Sequence, residues 1–150
     1  MPFMGPNEVL RLTKDGVWMS DETEIEHENT LAAFSKSIRR DEQGYFIQIS
    51  HETKRIIVED TAYFVTGLEG SVQSGYTLLI SDGSREKLDP KTLRYTSQRL
   101  ICLIKSKQEE AKFLHKAYDE ILSQLDQDST HFFIRIENQK ILLEEVKPHL

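Results

Sequence analysis

The stretch 29–60, NTLAAFSKSIRRDEQGYFIQISHETKRIIVED, restricts the fold more than any other part of the chain, because its apolar period changes partway along. Leu31, Phe34 and Ile38 fall at helical spacing, whereas Tyr45, Ile47 and Ile49 alternate with Phe46, Gln48 and Ser50 at strand spacing. This predicts an amphipathic helix, a polar turn and two alternating strands. Asn29 or Thr30 caps the helix, Lys36, Arg39 and Arg40 occupy its last turns, and Gly44 ends it after Asp41-Glu42-Gln43. His51 to Lys54 forms the next loop. Arg55 to Glu59 returns as the second strand, with Ile56 and Val58 on one face.

Around this stretch the chain reads as short strands. Met1 to Pro6 is expected to be an extended arm. Val9 to Thr13 and Val17 to Met19 form a hairpin over Lys14-Asp15-Gly16, where Gly16 supplies the positive φ of a tight turn. Trp18 is placed under the following helix. Tyr63 to Leu68 reads as a strand, and Glu69 to Gly75 as a loop between two halves. Tyr76 to Ile80 and Ser84 to Leu88 flank Asp82-Gly83, a strong hairpin signal. Leu93 to Tyr95 and Leu100 to Ile104 read as strands. Ser106 and Glu109 form a capping box that opens a helix with Ala111, Leu114, Tyr118, Ile121 and Leu125 along one stripe. His131 to Ile136 and Lys140 to Val146 make a last hairpin.

The two ends follow one plan. A helix leads to FIQIS, a polar loop and RIIVED in the first half, and a helix leads to FFIRI, a polar loop and KILLEE in the second. The expected fold is therefore α+β, with duplicated strand–helix–strand units and mostly antiparallel sheets. Two halves, 1–70 and 71–150, would pack as one globular unit, since 75 residues alone bury a marginal core. A groove between such copies is a favoured ligand position.

Charge and composition exclude several functions. The net charge of −6 does not favour nucleic acid or anionic lipid as a partner. The longest apolar run, Leu100 to Ile104, is far short of the roughly 20 residues of a membrane span. The start lacks the basic and apolar regions of a signal peptide. A single cysteine, Cys102, rules out an intramolecular disulfide and fits a cytoplasmic location. The five histidines have no metal-ligand spacing, and GxSxG, Walker A and GxGxxG are absent. No catalytic residue, metal or cofactor is expected, and an enzyme is the less favoured reading.

The best candidate for anion binding is Lys36, Arg39 and Arg40, joined by Lys54 and Arg55 from the hairpin, since arginine pairs with phosphate through two hydrogen bonds. Trp18, Tyr45 and Tyr63 could stack a base. Taken singly, each charge is accounted for by helix-end electrostatics and each aromatic by core packing. The acidic run with Glu22, Glu24, Glu26 and Glu28 is a solvated face or a docking surface for a basic protein partner.

Asp15-Gly16-x-Trp18, then Leu31, Phe34 and Ile38, then Arg39-Arg40-Asp41-Glu42-x-Gly44-Tyr45-Phe46, and finally Val58-Glu59-Asp60-Thr61-Ala62-Tyr63-Phe64 resemble the bacterial domain of unknown function twelve eighty-five family. Beyond these residues the likeness rests on the Tyr118 helix and the final hairpin. The resemblance implies a duplicated α+β core whose C-terminal half is similar to pleckstrin-homology domains. It also implies a nucleotide-like ligand between the halves, a role in signal transduction, and no established enzyme activity. The resulting expectation is a non-catalytic sensor of a small anionic ligand, with Arg39, Arg40, Lys54, Arg55, Trp18 and Tyr45 as contacts. A protein-interaction module without a small ligand is the alternative.

Overall fold

The computed structural model describes residues 7–145. The expected N-terminal arm and the end of the last strand, Val146, lie outside the described residues. In chain order the elements are β1 (Leu10–Leu12), β2 (Trp18–Ser20), β3 (Thr23–Glu24), α1 (Glu28–Lys36), β4 (Ile38–Asp41), β5 (Gly44–Ile49) and β6 (Glu52–Val58). They continue as β7 (Tyr63–Ser71), β8 (Gly75–Ile80), β9 (Arg85–Lys87), a 3-10 turn at Pro90–Thr92, β10 (Arg94–Thr96), β11 (Arg99–Ile104) and β12 (Glu109–Phe113). The chain ends with α2 (His115–Ser123), β13 (Asp126–Gln127), β14 (His131–Ile136) and β15 (Gln139–Glu145). The class is α+β, dominated by sheet.

The strands form two six-stranded sheets with one wiring. The first has the order β3-β2-β1-β6-β5-β4, and the second, read from β9, has the order β9-β8-β7-β12-β11-β10. Each sheet is two three-stranded meanders joined where the first strand meets the sixth. In the first sheet that joint is parallel, with Leu10, Arg11 and Leu12 opposite Ile56, Ile57 and Val58. The hairpin pairs are antiparallel. A third sheet has the order β13-β14-β15. Two compact units result. One holds the described residues up to Tyr63 with Ser81–Gly83, and the other holds Phe64–Ile80 and the described residues from Ser84.

Within the first unit, α1 covers the face carrying Leu10, Leu12, Trp18, Ile47 and Ile56, all buried. Trp18 packs edge-on against Phe34, with ring centroids 5.4 Å apart, and its Nε1 donates to Ser35 Oγ at 3.3 Å. In the second unit Leu78, Leu88, Leu93, Leu100, Ile104 and Phe113 form the sheet core, and Ala117 and Ile121 are buried on α2.

The helix–meander segments recur at a fixed spacing. Helices α1 and α2 begin at 28 and 115, β5 and β14 at 44 and 131, and β6 and β15 at 52 and 139, a constant step of 87 residues without a gap. The paired strands keep register through this step. Ile49 faces Glu52 as Ile136 faces Gln139, and Ile47 faces Lys54 as Ile134 faces Ile141. This register puts Phe46 on Phe133 and Arg55 on Leu142, so FIQI matches FIRI, and KILLEE starts opposite Thr53 rather than Arg55.

Several expectations are corrected. The first helix stops at Lys36, and Arg39 and Arg40 lie on strand β4, not in a last helical turn. Ser37 closes the helix, its N–H donating to the Phe34 carbonyl at 3.0 Å and its hydroxyl to the Ala33 carbonyl at 2.6 Å. Ile38 satisfies both periods, which is why helical spacing overran into the strand. The cap of α1 is His27, whose Nδ1 accepts from the Thr30 N–H at 3.3 Å, rather than Asn29 or Thr30. The loop expected at His51 to Lys54 shrinks to a turn at 50–51. Glu69 to Gly75 is not a loop throughout: β7 runs to Ser71 and β8 starts at Gly75.

The capping box at Ser106 is a hairpin turn. Lys105, Ser106 and Lys107 have φ of 52°, 56° and 66°, left-handed values no helix tolerates. Glu109 to Phe113 then pairs antiparallel with β11, with Ala111 and Phe113 buried at strand period. The helix starts later, at His115, with no side-chain cap from Leu114.

Candidate functional site

Strand β4 is what assembles the candidate site. Because Arg39 pairs with Phe46, and Phe46 with Arg55, the three side chains form a row on one face of the sheet. Asp41 and Thr53 share that face through the pleat. An open depression of about 340 Å³ is lined by Asp41, Phe46, Thr53, Lys54 and Arg55. Lys54 is the cross-strand partner of Ile47 and is half-buried.

Arg55 organises this surface. Its guanidinium lies over the Phe46 ring, 5.1 Å from the centroid, a favourable approach of a cation to the negative face of a ring. Both of its terminal nitrogens donate to the Asp41 carboxylate, one at 2.8 Å. They also reach the Gly44 carbonyl and Gln43 Oε1, each at 3.3 Å. Asp41 accepts the Gln43 N–H at 2.9 Å. The Arg55 guanidinium, aided by the turn amides of Gln43 and Gly44, holds the Asp41 carboxyl below the usual carboxylate range, and Asp41 in turn raises Arg55. The pair is solvent-exposed, so it orients the guanidinium more than it stabilises the fold.

The other named residues fall elsewhere. The Arg39 guanidinium donates to the Ile38 carbonyl at 3.0 Å and has no carboxylate partner among the described residues. Arg40 and its cross-strand partner Tyr45 lie on the opposite face, the guanidinium 5.9 Å from the ring centroid. Trp18 is 3% exposed beneath α1. The fold thus brings Arg39 and Arg55 together and separates them from the side chains of Arg40, Tyr45, Lys54 and Trp18. Sequence reasoning missed Phe46, Thr53 and Asp41. Once 38–41 is read as a strand with a two-residue turn, alternation puts Asp41 and Phe46 on the face of Arg39.

Beyond this surface, Cys102 is fully buried and its thiol is pushed up to about 12 by burial and the nearby Glu86 carboxylate. Among the described residues no three His, Cys, Asp or Glu side chains group as metal ligands, and no helix is long and apolar enough to cross a membrane.

Residues 2–61 match the family model described as the N-terminal domain of the domain of unknown function DUF1285. No curated protein matches the chain. A DUF1285 family protein from Silicibacter pomeroyi DSS-3 is a structural relative, with a TM-score of 0.69 at 16% identity over 91% of this chain and 80% of that one. A DUF1285 family protein from Shewanella baltica OS155 has a TM-score of 0.60 at 16% identity, over 79% of this chain and 94% of that one. At that identity the likeness is one of fold. The chain therefore resembles the DUF1285 family, through the N-terminal domain at residues 2–61 and through the fold it has in common with two solved family proteins.

Proposed function

We propose that the protein is a non-catalytic ligand-sensing or regulatory domain of bacterial signal transduction, acting in the cytoplasm on a small anionic, nucleotide-like ligand. The observation that carries this reading is the stacked Arg55–Phe46 platform in an open depression, with Lys54 and Thr53 on its wall. Asp41 already engages the Arg55 fork, so Arg39, on the same face as Phe46 and Arg55, supplies the charge for the ligand, and the platform supplies the flat surface. Binding acts by shifting an equilibrium between conformations that the ligand distinguishes. The common wiring of the two six-stranded sheets supports an origin by internal duplication, and we assign the C-terminal half to a pleckstrin-homology-like arrangement on the family resemblance.

Thermal unfolding with adenine and guanine nucleotides tests the reading. A ligand at one hundred times its dissociation constant adds about 2.7 kcal/mol of stability and raises the midpoint. Replacing Arg39 by glutamine should abolish the rise. No rise at millimolar nucleotide in a well-folded sample overturns the proposal.

One observation favours a second reading, a protein-interaction module. Strand β3 is an edge strand in the sheet order, its Thr23 and Glu24 are exposed, and acids surround it, so a basic partner could add a strand there. A stoichiometric partner lost on reversing Glu22, Glu24 and Glu26 to lysine would favour it.

A further inference from the structure

Helix α1 depends on a histidine for its first turn. His27 stands at the cap in extended backbone, with φ −69° and ψ 114°. Its Nδ1 accepts the Thr30 N–H at 3.3 Å and lies 3.2 Å from the Thr30 hydroxyl. The free amides at a helix start need such an acceptor, and the usual caps supply an oxygen whose lone pairs stay available near neutral pH. An imidazole nitrogen accepts only while it carries no proton. Protonation of the ring therefore withdraws the acceptor from the Thr30 amide and puts a positive charge at the positive end of the helix dipole. The Nδ1–H of the charged ring is left with the Thr30 hydroxyl alone.

The first turn has little else to hold it. The one buried side chain of α1 is Phe34, in its second half, where it packs on Trp18. Glu28 and Asn29 are exposed, and Thr30 and Leu31 are half-buried. Carboxylates stand ready for a ring that leaves the cap. Glu26 and Glu28 flank His27 in the chain, and Glu24 precedes them on β3. Among the described residues His27 makes no ion pair with any of them while it caps the helix. Of the strands beneath α1, β2 and β5 carry no charged residue, β1 turns Arg11 to the other face, and β6 places Lys54, half-buried, opposite Ile47. Lys36 lies in the last turn of α1, away from the cap. One step of 87 residues later the cap position is Leu114, which has no side-chain bond to give. Only the first copy has a cap that titrates.

We propose that His27 makes the head of α1 a pH-sensitive clasp, closed on Thr30 while the ring is neutral and open once it is protonated. The second half of the helix stays docked through Phe34 and Trp18. The stability that the cap contributes is present when the ring is neutral and is lost as pH falls through the range of histidine, between 8 and 5. No residue of the anion-binding surface takes part, so failure of either reading leaves the other standing.

The full chain, labelled with carbon-13 and nitrogen-15, is followed by NMR across the histidine range. The Cα shifts of residues 28–31 report the first turn, the His27 ring carbons report its protonation, and the Trp18 indole N–H reports the docked half. Residues 28–31 are expected to lose helical character in step with the His27 ring. The frayed form should gain about fivefold over the closed one, the scale of a single cap, while the Trp18 signal holds. His27→Asn keeps a cap that does not titrate, and should leave residues 28–31 helical at both ends of the range. His27→Ala has no cap, and should leave them frayed at both. Four outcomes overturn the proposal: Cα shifts that stay constant while the His27 ring titrates, the same pH response in His27→Asn, a His27→Ala variant as helical as the wild type at the alkaline end, or loss of the Trp18 signal along with the first turn, since the whole helix then undocks.

Discussion

Asp128 is a turn residue whose charge is tied to its surroundings. The amides of His131 and Thr130, and then Lys140, stabilise its ionised form, so its carboxyl sits well below the ordinary value of 3.8. A depressed folded pKa contributes stability above the unfolded value, and that contribution is lost as pH falls through the folded one. Unfolding by denaturant should therefore show stability falling below about pH 4, with a shallower fall in Asp128→Asn. Equal slopes would show that the turn does not need the charge. Cys102 makes the opposite case. Its thiol is fully buried and pushed up to about 12, so iodoacetamide should modify it only on unfolding, at a rate that tracks denaturant. Fast labelling of native protein would refute this. Burial of Cys102 was legible in its apolar neighbours. The role of Asp128 was not, because a turn aspartate reads alike whether or not a cation stands across the hairpin.

Hairpins were the elements most legible in the sequence. Gly16 and Asp82-Gly83 set β1–β2 and β8–β9 through turn chemistry, and alternation set β14–β15. Helix ends were least legible. Ile38 and Ala111 fit a helical stripe and a strand face equally well, and only the partner strand, far along the chain, decides between them. That ambiguity hid the candidate surface, which exists because Arg39 belongs to a strand. The β7–β8 turn carries its own test. Gly70 has φ of +104°, and a Cβ there would meet the Gly75 carbonyl oxygen at 2.1 Å, where the backbone has no slack. Gly70→Ala should cost about 2 kcal/mol or more by denaturant unfolding. In the recurring helix–meander, Ile47 and Ile134 are equivalent and fully buried. Each change to alanine should cost about 2–4 kcal/mol, and a near-neutral result at either would show that its core repacks.

At the scale of the molecule, the repeated wiring was legible only in part. Comparing the ends of the sequence shows that a helix precedes a hairpin twice, but not that both six-stranded sheets join a first strand to a sixth. No local pattern encodes that joint, since Leu10 and Ile56 meet across the whole first meander, α1 and the second meander. The joint dictates an order of events during synthesis. The meander of β1 to β3 can form as it leaves the ribosome, but Leu10 to Leu12 must wait on one side until Val58 has emerged, and β7 must wait likewise for β12. Loop closure of that length is slow relative to hairpin formation. Pulse-labelled hydrogen exchange during refolding should find the amides of the β1·β6 joint protected after those of the β5·β6 hairpin. Each sheet is thus a lock that its last strand closes, and a nascent chain that stalls before residue 58 presents an unpaired strand edge for other chains to join.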